Sequence, residues 1–224
     1  MSLYEKLYKP VVPNANYNPW FNEDAFLSIY EKIKGHTLVD IYRCYELWEI
    51  VRQCLRLEGD LLEVGVWKGG TGALICKMAE LNGGTRKVYL ADTFSGVPKA
   101  GDRDTIYKGG EHADTSVDLV ENLLKQVAVS NYKVLVGIFP EENGDLLAKE
   151  TFCFCHIDVD VYQSAKDISE WIWPRLKAGG MIVYDDYGFS SCDGVRKFID
   201  EEEKHKTDRI VIHNLNGHAI VIKI

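Results

Sequence analysis

Four aspartates stand in two close pairs in the second half of the chain: Asp158 with Asp160, and Asp185 with Asp186. Each pair follows a short apolar run of the kind that forms a buried strand, so both pairs are expected at strand ends. Carboxylates that lie close together raise one another's pKa unless a cation compensates them. Carboxylate oxygens suit Mg²⁺, Mn²⁺ or Ca²⁺ better than Zn²⁺, so the pattern favours a hard divalent cation. The alternative interpretation is that these acids cap the helices that follow them.

A glycine-bearing turn follows the first apolar run, which begins at Leu61, and a helical pattern comes after it. Glycines let a ligand approach the backbone, and the start of a helix offers free N–H groups to an anion. The turn has neither the GxGxxG spacing of dinucleotide sites nor the GK[ST] of a P-loop, which disfavours those two ligands. The alternative is a tight strand-to-helix turn without a ligand. The residues of interest are Glu63, Gly65, Trp67, Gly69, Gly70 and Thr71.

Two further strand ends carry residues suited to a nucleoside. Asp92 follows the second predicted strand, where a carboxylate can accept the hydroxyl groups of a ribose. It can equally cap the next turn through its side chain. Gly137, Ile138 and Phe139 follow the third strand and are suited to an apolar slot for adenine, with plain core as the alternative. Taken with the glycine turn, these residues favour an adenosine-containing ligand.

The elements that position these residues alternate along the chain. Strands are predicted over 61–66, 88–91, 134–136, 152–157 and 181–184, and helices over 23–34, 39–57, 115–129, 163–176 and 192–204, with one more from the glycine turn to residue 81. Strands that alternate with helices imply right-handed crossovers and a parallel sheet with helices on both faces. Ligands bind such sheets at the carboxyl ends of the strands, where the residues above are expected.

The last part of the chain predicts a different arrangement. Residues 209–215 and 218–224 are two β-rich runs joined by Asn216-Gly217. This pair is typical of type I′ hairpin turns, in which both central residues have positive φ. We therefore predict seven strands in a mostly parallel sheet that ends in an antiparallel hairpin. By fold analogy this is the Rossmann-like fold of class I S-adenosylmethionine-dependent methyltransferases.

The composition limits which binding partners and which cellular compartment are expected. The 224 residues carry 26 Lys and Arg against 34 Asp and Glu, a net charge of -8. The chain therefore lacks the cationic field that nucleic acid or an anionic membrane surface requires. It also has no apolar run long enough to span a membrane. We expect a cytoplasmic protein whose six cysteines are buried thiols.

Six segments together resemble the macrocin O-methyltransferase family, the Mg²⁺-dependent sugar methyltransferases of antibiotic pathways. They are HTLVDIYRCYEL (36–47), GDLLEVGVWKGGTG (59–72), ADTFSGVP (91–98), VGIFPE (136–141), HIDVDVYQSAKD (156–167) and WPRLKAGGMIVYDDYG (173–188). They cover roughly residues 36–190. The resemblance implies an enzyme that transfers a methyl group to a hydroxyl of a sugar or glycosylated natural product.

The resemblance also implies roles for individual residues. Asp158, Asp185 and Asp186 would bind the metal, and Asp160 would be the general base, with Asp158 also catalytic. S-adenosylmethionine would be held by Glu63, Gly65, Gly69, Gly70 and, through its ribose, Asp92; we add Trp67, Thr71, Ser116, Gly137, Ile138, Phe139 and Asp158 to the cofactor site. His112 and His156 are alternative bases.

The remaining expectations concern the ends of the chain and the acceptor. Residues 1–35 are predicted to be an N-terminal arm and helix that serves as a lid or an oligomer contact, and residues 36–224 the methyltransferase domain. The polar segment 98–116 is predicted to be a mobile loop over a small hydroxylated acceptor, in a protein that forms a homo-oligomer. The alternative functions are a catechol-type O-methyltransferase, a non-catalytic nucleoside-binding domain, and a metal-dependent hydrolase or phosphoryl-transfer enzyme. The last is disfavoured because the sequence has no P-loop.

Overall fold

The structure is a computed structural model that describes residues 17–224. In the described chain one sheet has seven strands in the order β3-β2-β1-β4-β5-β7-β6. The strands are β1 Asp60–Val64, β2 Val88–Asp92, β3 Tyr132–Val136, β4 Phe152–Ile157, β5 Leu176–Tyr184, β6 Arg209–His213 and β7 Ala219–Lys223. The α-helices are α1 Asp24–Ile33, α2 Ile41–Cys54, α3 Gly70–Leu81, α4 Val117–Gln126, α5 Tyr162–Ile172 and α6 Asp193–Glu201, with short 3-10 turns at Gly144–Leu147, Trp173–Arg175, Ser190–Cys192 and Glu203–His205.

The predicted α/β architecture is confirmed. Strands β1 to β5 pair in parallel, while β7 pairs antiparallel with both β5 and β6. Apolar residues of α1, α2, α3 and α4 form a core on one face of the sheet. Those of α5 and α6 form a second core on the other face. The central strand β4 is buried along its whole length, as its continuous apolar run requires.

The chain reverses between β6 and β7 through a longer connection than predicted. Of the residues between the strands, only Gly217 has a positive φ, at 121°. The N–H of Gly217 donates to the carbonyl of Asn214 at 3.2 Å, and the N–H of Asn214 donates to the carbonyl of His218 at 2.9 Å. The two-residue type I′ turn was therefore wrong, although the antiparallel hairpin itself is confirmed. The five-residue connection places His218 directly before β7.

The N-terminal helix α1 is part of the main core. Phe26, Ile29 and Ile33 are buried and pack with residues of α2 and α3. The predicted boundary after residue 35 is therefore not a structural division, because both sides of it share one core. Residues 1–16 of the predicted arm lie outside the described residues. From Tyr17 onward, no helix is long and apolar enough to cross a membrane.

The six cysteines are all free and buried, as their apolar contexts predicted. Burial raises the pKa of the Cys153 thiol to about 11 and that of the other thiols as well. Buried thiols with high pKa values behave as small apolar side chains. They form no disulfide framework.

Candidate active site

A cavity of about 290 Å³ opens at the carboxyl ends of the parallel strands. Its size is near the low end for small-molecule sites. Most of the residues predicted for the cofactor, the metal and the base contribute to its wall. These are Gly65, Trp67, Thr71, Asp92, Gly137, Phe139, Asp158, Asp160, Asp185 and Asp186. Residues that lie far apart in sequence, from Gly65 to Asp186, therefore meet at the carboxyl edge of the sheet, as predicted.

Five predicted cofactor residues lie outside this wall. The fully buried Glu63 carboxylate contacts Nδ1 of His156 at 2.9 Å beneath the floor. The Ser116 hydroxyl caps α4 by accepting the N–H of Leu119 at 3.2 Å. These positions support the cavity rather than form its surface. The five are Glu63, Gly69, Gly70, Ser116 and Ile138.

Asp92 braces the glycine turn from the end of β2. Its Oδ2 accepts the backbone N–H groups of Val66 and Trp67 at 2.7 and 2.8 Å. Its Oδ1 accepts the N–H of Phe94 at 2.7 Å. The turn-capping role that the sequence left open is therefore present. The same carboxylate also lines the cavity, and Oδ1, which accepts a single hydrogen bond, keeps acceptor capacity for a hydroxyl group.

Gly65 is required where two strand ends meet. Its φ of 89° lies in the left-handed region. A Cβ atom at this position would lie 1.7 Å from the carbonyl oxygen of Asp158. Any side chain here would separate the end of β1 from the end of β4. The glycine thus keeps the cofactor-side turn in contact with the acid cluster.

The predicted acid cluster is present. Asp158, Asp185 and Asp186 each offer one oxygen atom within 4.8 Å of the others. Burial and the neighbouring carboxylates raise the pKa values of Asp158 and Asp186 well above the usual range. The Asp158 carboxylate accepts no hydrogen bond from the described residues, which leaves its oxygens free for a cation.

The capping alternative for these acids was wrong. The first amide of α5, at Tyr162, is capped by Asp104, whose Oδ1 lies at 2.9 Å. The residue that precedes α6, Cys192, makes no capping hydrogen bond with its side chain. Asp186 instead accepts the N–H groups of Val159 and Asp160 at 3.2 and 2.8 Å, which ties the two strand ends together.

Asp185 differs from its neighbours. Burial alone would raise its pKa, but the nearby His156, the hydrogen bond from His218 and the charges of His218 and Arg43 hold the pKa below the usual range. Nη1 of Arg43 donates to Oδ2 of Asp185. Nε2 of His218 lies 2.9 Å from Oδ1. The expectation that all four acids have raised pKa values was therefore wrong for Asp185, because basic side chains of the protein neutralise its charge.

Buried ionisable side chains contact one another beside the cavity. His156 lies between Glu63, at 2.9 Å, and Asp185, at 3.7 Å. Burial lowers the pKa of His156, but the carboxylates of Asp185 and Glu63 on its two sides outweigh burial and raise the pKa to about 9. His156 is fully buried and outside the cavity wall, which makes it unsuited to be the alternative base.

The segment between Gly96 and Ser116, here called the strap, lies over the cavity. It contributes Tyr107 and His112 to the wall beside Asp160. The Tyr107 hydroxyl lies 3.1 Å from Nε2 of His112, which is 3.9 Å from Oδ2 of Asp160. Burial raises the pKa of Asp160, while Tyr107 and His112 oppose this shift. Both Asp160 and His112 have positive φ values, 65° and 61°, a strained conformation that is common at functional sites.

The strap is anchored at both ends of the cavity. At one end the N–H of Thr105 donates to Asp193 Oδ1 at 2.9 Å, at the start of α6. At the other, Asp114 accepts Nε1 of Trp67 at 2.9 Å and Nζ of Lys68 at 2.6 Å. The segment predicted to cover the acceptor thus connects the glycine turn to α6.

The sequence profile of the macrocin-O-methyltransferase (TylF) family matches residues 29–219. This chain belongs to the macrocin-O-methyltransferase family. The predicted membership is confirmed over residues 29–219, from within α1 to the first residue of β7.

Similar proteins are named as O-methyltransferases of natural products. The chain is 32% identical over 176 residues to the 8-demethyl-8-(2,3-dimethoxy-alpha-L-rhamnosyl)-tetracenomycin-C 4'-O-methyltransferase of Streptomyces olivaceus, covering 70% of this chain and 65% of that protein. It is 30% identical to the demethyldecarbamoylnovobiocin O-methyltransferase of Streptomyces niveus, covering 75% of this chain and 67% of that protein. It is 29% identical to the mycinamicin III 3''-O-methyltransferase of Micromonospora griseorubida, covering 70% and 67%. The match with the first relative spans less than two thirds of that protein's length.

Solved structures share the fold. The O-methyltransferase NovP superposes with a TM-score of 0.71 at 24% identity, covering 84% of this chain and 82% of NovP. The calicheamicin methyltransferase CalS11 gives a TM-score of 0.71 at 15% identity, covering 93% and 94%. These likenesses establish the class I methyltransferase fold for this family member.

Sequence reasoning missed several side chains that shape the site. Arg43 and Glu46 lie on α2, and His218 lies in the hairpin connection, far in sequence from Asp185. Tyr107 carries no motif of its own. The only signal was that Arg43 and Glu46 fall inside segment 36–47 of the family resemblance, which did not show what they contact.

Proposed function

We propose that this chain is an S-adenosylmethionine-dependent and Mg²⁺-dependent O-methyltransferase that acts on a hydroxyl group of a sugar or glycosylated small molecule. The observation that carries the proposal is that one cavity joins two chemically different ends. One end has the glycine turn and Asp92. The other end has more carboxylates than basic side chains that could neutralise them. A methyl donor and a hydroxylated acceptor require such adjacent sites.

The cofactor end suits an adenosine-containing donor. S-adenosylmethionine, when bound, supplies an electrophilic methyl group on its sulfonium sulfur. Asp92 would accept the ribose hydroxyls, and the buried face of Phe139 beside Gly137 would contact the adenine. Gly65 and Trp67 keep the turn open to the ligand, with positive φ values of 89° and 46°.

The acid end suits a hard divalent cation. Asp158, Asp185 and Asp186 present an all-oxygen donor set, and the repulsion that raises the pKa values of Asp158 and Asp186 is the kind a cation relieves. When bound, Mg²⁺ would lower the pKa of a coordinated hydroxyl group. Asp185 already neutralises Arg43, so Asp158 and Asp186 would supply most of the charge attraction.

Asp160 is the proposed general base. Its carboxylate lines the cavity, and its backbone N–H is fixed by Asp186 at 2.8 Å. Burial raises the pKa of this carboxyl, which brings a carboxylate base closer to the operating pH and makes it a better proton acceptor. Asp160 would take the proton of the acceptor hydroxyl, while the strap excludes water. Holding both substrates in one cavity would contribute much of the acceleration.

The acceptor class rests on the relatives. The name of the first relative describes methylation of a tetracenomycin that carries a rhamnosyl group. Another relative methylates the 3'' position of mycinamicin III. The cavity of the present protein has carboxylates that can accept hydrogen bonds from sugar hydroxyls, and Leu38 and Phe189 form an apolar rim.

Cofactor binding tests the first half of the proposal. Isothermal titration with S-adenosylhomocysteine is expected to show binding by the wild type and none by Asp92→Ala. Asp118→Ala serves as the control, because Asp118 is exposed on α4. Equal heats in the wild type and Asp92→Ala would contradict the cofactor assignment.

Methyl transfer tests the second half. Production of S-adenosylhomocysteine is measured with a panel of glycosides and phenols, in EDTA and after excess Mg²⁺ is restored. We expect turnover with a glycoside that falls in EDTA and returns with Mg²⁺. Turnover indifferent to chelation would reject the metal, and turnover with catechols alone would reassign the acceptor class.

A further inference from the structure

His218 is buried behind the acid cluster, outside the cavity wall. It is fully buried and directly precedes β7. Tyr184 of β5 pairs with Ala219 of β7. Continuing this antiparallel register places His218 opposite Asp185, which explains how a hairpin distant in sequence reaches the cluster.

Both ring nitrogens of His218 face carboxylates. Nε2 lies 2.9 Å from Oδ1 of Asp185. Nδ1 lies 2.6 Å from Oε2 of Glu46 on α2. The two contacts, one on each side of the imidazole, fix the orientation of the ring.

Glu46 is itself held in place by the hairpin. Its Oε2 also accepts Nδ2 of Asn216 at 2.9 Å, and Oδ1 of Asn216 accepts the backbone N–H of His218 at 3.1 Å. The hairpin connection and α2 therefore lock the imidazole from two directions. None of these three side chains lines the cavity, so any effect on the site passes through Asp185.

We propose that His218, held by Glu46, is a positioning residue for the carboxylate of Asp185 as a metal ligand. This role rests on the proposed function. The contact of His218 with Oδ1 and the hydrogen bond from Arg43 to Oδ2 fix the rotation of the carboxylate, and one of its oxygens lies within 4.8 Å of Asp158 and Asp186. Partners that orient a metal ligand in this way typically change metal affinity or activity about 10–100-fold when they are removed.

The test measures binding of Mn²⁺ alone by electron paramagnetic resonance, independently of turnover. His218→Leu removes both hydrogen bonds, and His218→Gln keeps an amide donor. His205→Gln is the matched control, because His205 is exposed in the 3-10 turn that follows α6. We expect His218→Leu to raise the Mn²⁺ dissociation constant about 10–100-fold. His218→Gln should recover part of the loss, and the control should match the wild type.

A second variant and a second ligand separate positioning from general damage. Glu46→Gln removes the charged acceptor without changing size, and it should weaken Mn²⁺ binding in the same direction. Affinity for S-adenosylhomocysteine should stay at the wild-type value in every variant. A parallel loss of both ligands would mean a structural role and overturn the proposal.

The remaining outcomes distinguish this inference from the function on which it rests. Mn²⁺ binding by the wild type that His218→Leu leaves unchanged would overturn the positioning role alone. A wild type that binds no Mn²⁺ would overturn both this role and the metal in the proposed function. Zinc or iron bound stoichiometrically to the wild type and lost in His218→Leu would make the imidazole a ligand, and so would also overturn the positioning role.

Discussion

Oδ1 of Asp104 caps the helix that begins at Tyr162, with the backbone N–H of Tyr162 donating at 2.9 Å. Asp104 belongs to the strap, and the capped helix α5 follows the loop that carries Asp158 and Asp160. A Cβ atom at Gly194 of α6 would lie 1.8 Å from the same oxygen, so the strap and two helix starts meet closely here. The Asp104 side chain therefore joins the strap to the loop that carries the proposed base, Asp160.

Asp104→Ala is expected to destabilise the protein by about 0.5–2 kcal/mol, the usual cost of losing a side-chain cap. It should also speed proteolytic cleavage within the strap, because Asp104 additionally accepts the N–H of Gly101 at 2.9 Å. Urea unfolding and limited proteolysis check both effects. Asp102→Ala is the control, since Asp102 is exposed in the same segment. Equal behaviour of the two variants would refute the anchoring role.

Asp158→Asn is expected to stabilise the metal-free protein. The pKa of Asp158 is raised in the folded state by burial and by neighbouring carboxylates, so ionisation at neutral pH costs folding free energy. Removing that charge should raise the free energy of unfolding by an amount on the order of 1 kcal/mol, or about 2–4 °C in Tm. Thermal unfolding in EDTA at pH 7 measures it. Added Mg²⁺ should then raise the Tm of the wild type but not that of the variant.

Asp185→Asn should have the opposite effect, although Asp185 lies in the same cluster. Its pKa is lowered, because the nearby His156, the hydrogen bond from His218 and the charges of His218 and Arg43 outweigh burial. The substitution leaves buried basic groups without a counter-charge, which typically costs about 3–5 kcal/mol. The same EDTA melting experiment compares the two variants. Tm shifts of the same sign in the two variants would contradict the conclusion that Asp185 has nearby counter-charges and Asp158 does not.

The stability of the protein should fall between pH 6.5 and pH 9 because of His156. Its pKa is raised from 6.5 to about 9 in the folded state, so its contribution is complete below 6.5 and is lost as the pH rises towards 9. The loss is on the order of 3 kcal/mol. Urea unfolding at several pH values should show this slope in the wild type and in His205→Gln, and a flatter one in His156→Gln. An identical slope in His156→Gln would exclude His156 as its source.

Asp160→Asn should lower turnover about 10²–10⁴-fold, the usual contribution of a general base. Asparagine tolerates the left-handed conformation, with φ of 65°, that this position requires, so the backbone should be preserved. The affinity for S-adenosylhomocysteine should not change. Turnover and calorimetry on the same preparations, with the exposed Asp145→Asn as control, check the prediction. Full activity of Asp160→Asn would assign proton removal to another group.

The alternation of parallel strands with helices and the location of the cavity were predictable because they depend on local patterns. Short apolar runs, intervening amphipathic helices and strand-end residues such as Asp92 and Asp158 repeat along the chain, whereas the sheet arranges its strands in the order β3-β2-β1-β4-β5-β7-β6. The hairpin was also predictable, but its connection was not. Asn216-Gly217 is compatible with several turns, and here Asn216 is used to hold Glu46.

The sequence by itself determined which acids lie at the carboxyl end of the sheet, since the period of the strands and the rules of crossover fix that edge. Only the tertiary structure decided which of these acids carries an uncompensated charge. Asp185 and Asp186 are neighbours in the chain, yet one has a lowered pKa and the other a raised one. The difference comes from Arg43 on α2 and His218 beside β7, which reach Asp185 through packing and not through local sequence. Electrostatic free energy depends on distance and burial in three dimensions, and no spacing along the chain encodes these contacts.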